Sequence, residues 1–69
     1  MTNLQINELR DRLSKMKDRD LQNFTIAMEF LTSPKANSVS PPSNNFVFQL
    51  EEARVEALRR VAQRVLKEN

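Results

Sequence analysis

The chain contains no histidine, cysteine, glycine, tryptophan or tyrosine. Without histidine and cysteine it lacks the side chain that titrates near neutral pH, the thiolate nucleophile and the usual ligands of structural zinc. Without glycine it has no glycine-rich loop to cradle a phosphate. The remaining polar side chains could take part in catalysis, but a chain of only 69 residues has little buried interior in which to shift their pKa values. The composition therefore predicts a protein that is not an enzyme and has no catalytic, metal or cofactor site.

The short length also limits how the chain can be stabilised. Residues 1–69 form one domain at most, close to the lower size limit for independent folding. Small domains usually add a disulfide, a structural metal or a second subunit, and the composition excludes the first and argues against the second. Oligomerisation is the remaining means. We therefore expect a homo-oligomer, with a dimer favoured.

The charge balance is mild, with 11 basic and 9 acidic residues and a net charge of +2. Nucleic-acid-binding modules usually concentrate positive charge on one face, whereas both signs are interleaved here. No apolar stretch reaches the length of a membrane span, and Met1-Thr2-Asn3 lacks the pattern of a signal peptide. By elimination, we expect a cytoplasmic protein without a membrane span.

The first half of the chain predicts a helical hairpin over about residues 4–32. Apolar residues recur at helical spacing in two segments, about 4–16 and 19–32. They are Ile6, Leu9, Leu13 and Met16, followed by Leu21, Phe24, Ala27, Met28 and Leu31. The longer interval between Met16 and Leu21 indicates a break near Lys17, although one continuous helix stays possible. Thr2 or Asn3, and then Asp18, are the predicted N-caps.

Residues 33–45 form a linker rich in Ser, Pro and Asn, which contains all three prolines of the chain. Ser33-Pro34 ends the preceding helix because a residue before proline avoids the helical region. A long C-terminal helix follows over about 46–67, with Asn45 as its predicted N-cap. Residues 46–50 could instead open as a strand, given their aromatic and β-branched content. The predicted fold is all-α, a three-helix arrangement completed by oligomerisation.

The C-terminal helix is apolar over two adjoining stripes that together cover close to half of its circumference. One stripe consists of Val47, Leu50, Leu58, Val61 and Val65, and the other of Phe48, Val55, Ala62 and Leu66. A helix that packs on one neighbour needs a narrower stripe, so this helix is expected to contact a second body. The alternative is that both stripes pack within one monomer. The predicted self-association interface comprises Phe46, Phe48, Leu50, Arg54, Val55, Ala62 and Leu66.

Basic residues on what the pattern predicts to be the outer face suggest an alternative function, binding to nucleic acid. They are Arg59, Arg60, Arg64 and Lys67. Glu52 and Glu56 share that face, Glu56 can pair with Arg60, and no aromatic side chain is interleaved to stack on a base. These features are typical of an ordinary solvated helix face. The hypothesis that this helix lies on a membrane surface has still less support, because these glutamates would face anionic lipid.

The acidic pairs Asp18 with Asp20 and Glu51 with Glu52 lie at predicted helix starts, where capping and the helix dipole explain them better than catalysis. The layout of residues 13–21, 31–37 and 46–54 is similar to that of small uncharacterised bacterial helical proteins, over about half of the chain. That resemblance implies no activity and no site residue. The sequence predicts a small non-catalytic protein–protein interaction, scaffold or regulatory module that self-associates through its C-terminal helix.

Overall fold

Three helices account for most of residues 2–68, which are the residues that this computed structural model describes. Helix α1 spans Asn3–Lys15, α2 spans Asp18–Leu31 and α3 spans Asn44–Glu68. No strand occurs among residues 2–68. The predicted all-α fold, a hairpin followed by a long C-terminal helix, is confirmed. The strand alternative for residues 46–50 is wrong, because the helical apolar period runs through them.

The start of α1 follows from its first residues. Thr2 is the N-cap and forms a capping box with Gln5. The Gln5 backbone N–H donates to Thr2 Oγ1 at 3.2 Å, and the Thr2 backbone N–H donates to Gln5 Oε1 at 2.9 Å. Two backbone donors that a helix start leaves without partners are satisfied in this way.

Two extended residues, Met16 and Lys17, separate α1 from α2, so the prediction of two helices is confirmed. The N-cap of α2 is Lys17, whose side chain makes no capping hydrogen bond. Asp18, the predicted cap, is instead the first helical residue, and its carboxylate turns toward α3. At the other end, Asn37 Nδ2 donates to the carbonyls of Leu31 and Ser33. The linker thereby covers the C-terminal end of α2.

Helix α3 starts at Asn44, so Asn45, the predicted cap, lies inside the helix. The Asn45 backbone N–H donates to Ser43 Oγ at 3.2 Å, which satisfies a free donor of the first turn. Across the fold, Arg10 pairs with Glu52 of α3 while Asp18 pairs with Arg60. Further along α1, Leu13 contacts Arg60, so residue numbers in α1 and α3 rise together. Further along α2, Glu29 contacts Arg54, so α2 runs antiparallel to α3.

The core is small and centred on α3, on which α1 and α2 both pack. Ala53 is completely buried at the centre of α3, where its small side chain lets both partner helices approach. Leu13 is the largest fully buried side chain. The rest of the core consists of the buried Leu9, Leu21 and Leu50, with Met16, Phe24, Phe48 and Ala57 packed around it. The molecule is thin, with principal extents of 48 × 27 × 16 Å.

Candidate interaction surface on the C-terminal helix

Helix α3 carries a continuous apolar surface on the side that faces away from α1 and α2. We call this surface the apolar strip; it consists of Val55, Leu58, Val61, Ala62, Val65 and Leu66. The five larger side chains are between 51% and 75% exposed, and Ala62 is exposed as well. At about 100° per residue, the six positions fall within an arc of roughly 140°, and no polar residue between 55 and 66 enters it. The strip is therefore a contiguous apolar surface that is exposed to solvent.

The predicted interface residues lie in three places: on the apolar strip, in or against the core, and outside both. Val55, Ala62 and Leu66 belong to the apolar strip. Leu50 is buried, and Phe48 packs against the core of its own chain, so both stabilise the monomer. The remaining two are Phe46, which is 37% exposed at the start of α3, and Arg54.

Arg54 lies beside the N-terminal end of the strip and is exposed. Its guanidinium approaches the Glu29 carboxylate of α2 at 3.8 Å, with both side chains about half exposed. A contact of this length between solvated groups contributes little to stability. Arg54 is therefore an exposed charge beside the apolar strip, with a weak ion pair to α2.

Three strip residues were absent from the predicted interface, although the two stripes contained them: Leu58, Val61 and Val65. The sequence signal that identifies them is the spacing of Val55, Leu58, Ala62 and Val65, at intervals of three, four and three residues. That spacing is the seam of a two-stranded coiled coil. Apolar spacing alone does not indicate which side of α3 is covered by the other helices of the same chain. The positions of α1 and α2 in the structure show which side is covered.

Two grooves run along the flanks of α3 and meet the strip. The groove on the α1 side encloses about 440 Å³ and is lined by Arg10, Ser14 and Val55, among others. The groove on the α2 side encloses about 350 Å³ and includes Ile26 and Val61. Ile26 is itself 55% exposed, so the apolar surface extends from α3 onto α2.

The predicted nucleic-acid contacts are mostly occupied by carboxylates of the same chain. Arg59 binds Glu56 through two hydrogen bonds of 3.0 and 2.6 Å, and Arg64 binds Asp18. Arg60 points inward, and its side chain is only 14% exposed. The expectation that Arg60 lies on an outer face is therefore wrong. Lys67 is exposed in the last turn.

Arg60 joins all three helices where α1 gives way to α2. Its Nε donates to Glu56 Oε2 at 2.7 Å and its Nη1 to Asp18 Oδ1 at 2.8 Å. Its Nη2 donates to the backbone carbonyls of Leu13 and Met16, at 2.9 and 2.7 Å. The guanidinium thus supplies a donor to the Met16 carbonyl and a second donor to the Leu13 carbonyl, which also accepts from the Met16 backbone N–H at 3.2 Å. It also places positive charge at the negative end of α1. The predicted Glu56–Arg60 ion pair is confirmed, with a far larger role than expected.

Glu56 is the buried acidic residue at the centre of this cluster. Its hydrogen bonds from Arg59, and then those from Arg60, lower the pKa of the Glu56 carboxyl from its ordinary value of 4.5, against an opposing effect of burial. The hydrogen bonds that Arg60 donates to Glu56 and to Asp18 raise the pKa of the Arg60 guanidinium. Glu56 is consequently a fixed anion at neutral pH and serves to hold arginines.

One member of each acidic pair that the sequence offers for catalysis is bound by arginine, while Asp20 and Glu51 are exposed. Asp18 is bound by Arg60 and Arg64, and Glu52 is bound by Arg10 through two hydrogen bonds of 2.9 and 3.1 Å. Within residues 2–68, no group of three acidic side chains is arranged to hold a metal ion. None of the helices described is both long and apolar enough to cross a membrane.

Comparisons with protein-family models, curated proteins and solved structures find no significant match for this chain.

Proposed function

We propose that this chain is a non-catalytic protein–protein interaction module that self-associates through the apolar strip of α3. The exposed strip carries this proposal. Five of its side chains are at least half exposed, whereas the buried apolar core of the described residues consists of Leu9, Leu13, Leu21, Leu50 and Ala53. A fold with so small a core is stabilised when a second copy shares its apolar surface.

A second copy suits the strip because the strip is self-complementary. In a two-fold symmetric interface, both subunits contribute the same surface patch. A helix seam of Val, Leu and Ala can pack against the same seam of a second copy through interdigitated side chains. Charged residues, among them Arg54 and Arg59, border the strip, as the polar rim of an interface does. The proposal places the two copies of α3 against each other and leaves α1 and α2 on the outer sides.

Nucleic-acid binding, the alternative from the sequence, has less support. Binding to phosphates requires basic side chains that are free to replace counterions. Arg59, Arg60 and Arg64 are each held by Glu56 or Asp18, so three positive charges share a cluster with two negative ones. Lys67 alone does not form a basic face. The expected result is weak binding to duplex DNA or RNA that is lost at physiological salt.

The proposal is tested by measuring the mass in solution, by light scattering on a sizing column over a wide range of concentrations. The wild-type chain is expected to exceed the monomer mass, and Leu58→Glu to shift it to the monomer. Leu4→Glu is the matched control, because Leu4 and Leu58 are both helical and both 69% exposed. If the apolar strip mediates association, only Leu58→Glu should reduce the mass, because Leu58 lies on the strip and Leu4 does not.

Two results would contradict the proposal. A wild-type chain that stays monomeric at the highest concentration has no self-association to explain. An oligomer that survives Leu58→Glu but dissociates with Leu4→Glu uses another surface. Circular dichroism of both variants controls for unfolding, and helix content should be unchanged because neither leucine belongs to the core.

A further inference from the structure

We infer that two copies of α3 pack antiparallel, with the two-fold axis near residue 60, so that Val55 of one copy lies opposite Val65 of the other. This inference rests on the proposed self-association and specifies its geometry. Four features of the structure support it: the register of the seam, the free C-terminal end of α3, the area available, and the charges beside the strip.

The seam of the apolar strip sets the register. Val55, Leu58, Ala62 and Val65 occupy alternating core positions of a heptad, and an antiparallel pair centred near residue 60 aligns all four in both copies. Val55 then meets Val65 of the second copy, and Leu58 meets Ala62. A shift by one heptad leaves fewer apolar layers, because Glu51 would replace a strip residue.

The C-terminal end of α3 extends past the helices that cover the rest of it. The ion pair of Arg64 with Asp18 is the last contact with the hairpin among the described hydrogen bonds and ion pairs, and residues 61–67 are all exposed. In a parallel pair, this free end would meet only the free end of the second copy. In an antiparallel pair, it lies beside residues 53–59 of the second copy, where α1 and α2 flank α3.

The area of the apolar strip favours the antiparallel pair. With a helix radius of about 5–6 Å and a rise of 1.5 Å per residue, an arc of roughly 140° over twelve residues presents roughly 220–260 Å². A standard stable interface buries about 800 Å² per partner. The strip alone is too small. An antiparallel pair adds the walls of the two flanking grooves, including Ile26 on α2 and Ser14 on α1.

The charges beside the strip oppose a parallel pair. Glu51 is exposed and lies one heptad before Leu58, so a parallel pair would set the two Glu51 carboxylates against each other. It would also bring Arg54 of each copy beside Arg59 of the other. The antiparallel pair separates these groups and brings together only the two Arg59 side chains, each already held by both oxygens of Glu56.

Disulfide trapping tests the geometry cleanly because the chain has no cysteine of its own. The variants are Val55→Cys and Val65→Cys, oxidised separately and as a mixture. In the antiparallel pair, like positions lie about 15 Å apart along the axis, from ten residues at 1.5 Å each. That separation exceeds the ~7 Å limit for a disulfide. Tryptic fragments 55–59 and 65–67 identify which cysteines have joined.

The mixed disulfide between positions 55 and 65 is expected to exceed either symmetric disulfide by tenfold or more. A parallel pair would reverse this pattern, since each variant would then cross-link with itself, and would overturn the inference. Val39→Cys, in the linker and 98% exposed, measures collisional cross-linking. Yields at all positions equal to that control would overturn the inference even if light scattering finds a dimer. A monomer by light scattering would instead refute the proposed function itself.

Discussion

Replacing Arg60 by alanine removes the side chain that ties the α1–α2 corner to α3. Four donated hydrogen bonds disappear together: those to Glu56, to Asp18 and to the carbonyls of Leu13 and Met16. Glu56 keeps Arg59 and Asp18 keeps Arg64, so neither carboxylate is left without a partner. The Leu13 carbonyl keeps the Met16 backbone N–H, whereas the Met16 carbonyl must accept from water instead. Hydrogen bonds to charged groups contribute about 1.5–3 kcal/mol each when counted singly, but retained partners and entering water offset part of this.

We expect Arg60→Ala to lower the free energy of unfolding by about 2–3 kcal/mol. The total stability of a chain of this size is about 3–10 kcal/mol, so the loss is a large share of it. A change of 1 kcal/mol shifts the midpoint of thermal unfolding by about 4–8 °C in domains of this size, which predicts a drop of about 10–20 °C. Arg60→Lys should recover only part of the loss, because one ammonium group cannot reach carboxylates and carbonyls on all sides.

Thermal unfolding followed by circular dichroism measures these effects, at one fixed protein concentration because association changes apparent stability. Arg54→Ala is the matched control, since it makes the same change on the same helix where the only ion pair is 3.8 Å long and solvated. It should cost less than about 0.5 kcal/mol. If Arg60→Ala and Arg54→Ala shift the midpoint equally, or if Arg60→Lys matches the wild type, the assigned role of Arg60 is refuted.

Three further predictions concern the core and the acid response, and urea unfolding tests each of them. Leu13→Ala should cost about 2–5 kcal/mol because it empties a fully buried site; a loss below this range would mean that the helices close over the cavity. Ala53→Leu should cost about 1–3 kcal/mol by forcing α1 and α2 away from α3, and an unchanged midpoint would contradict that close packing. Since the pKa of Glu56 is lowered in the fold, its stabilising effect is complete above its ordinary pKa of 4.5 and is lost as the pH falls through the lowered value. The difference in stability between wild type and Glu56→Gln should therefore shrink toward pH 3, and a difference independent of pH would refute the ion pairing.

The helices themselves could be predicted because their signals are local. Apolar spacing of three and four residues marks each segment, Thr2 supplies a capping box with Gln5, and the prolines of the linker exclude a continuing helix. The predicted hairpin of about 4–32 corresponds to the observed helices between Asn3 and Leu31. The predicted C-terminal helix of 46–67 is observed from Asn44 to Glu68.

The role of Asp18 could not be predicted because its partners are distant in sequence. An aspartate just before an apolar segment is typical of an N-cap. Its partners Arg60 and Arg64 lie 42 and 46 residues further along the chain. They can be recognised only once α2 is known to run antiparallel to α3. The importance of Arg60 was missed for the same reason, since a charged residue on a helix is usually solvated.

Ala53 was missed because periodicity gives most weight to large apolar side chains. The most buried position of α3 carries one of the smallest side chains, since α1 and α2 both approach the helix there. The two apolar stripes of α3, which consist mainly of large side chains, therefore predicted that two faces of the helix are each packed against another body. In the structure, the centre of the covered face passes through Ala53, and much of both stripes remains on the exposed side.

The placement of charge on α3 separates the folding of the monomer from the association that we propose. A helix in a monomer usually buries its apolar face and exposes its charges. Along its second half, α3 instead turns Glu56 and Arg60 toward the hairpin and the apolar strip toward water. The charged side holds the corner of the hairpin, so the strip contributes little to the stability of the monomer. Changes in the strip, such as Leu58→Glu, should therefore alter the mass in solution and leave unfolding of the isolated monomer unchanged, whereas Arg60→Ala should destabilise the monomer itself. If Leu58→Glu lowered helix content at concentrations where the wild type is monomeric, this separation would be refuted, because the strip would then be part of the core.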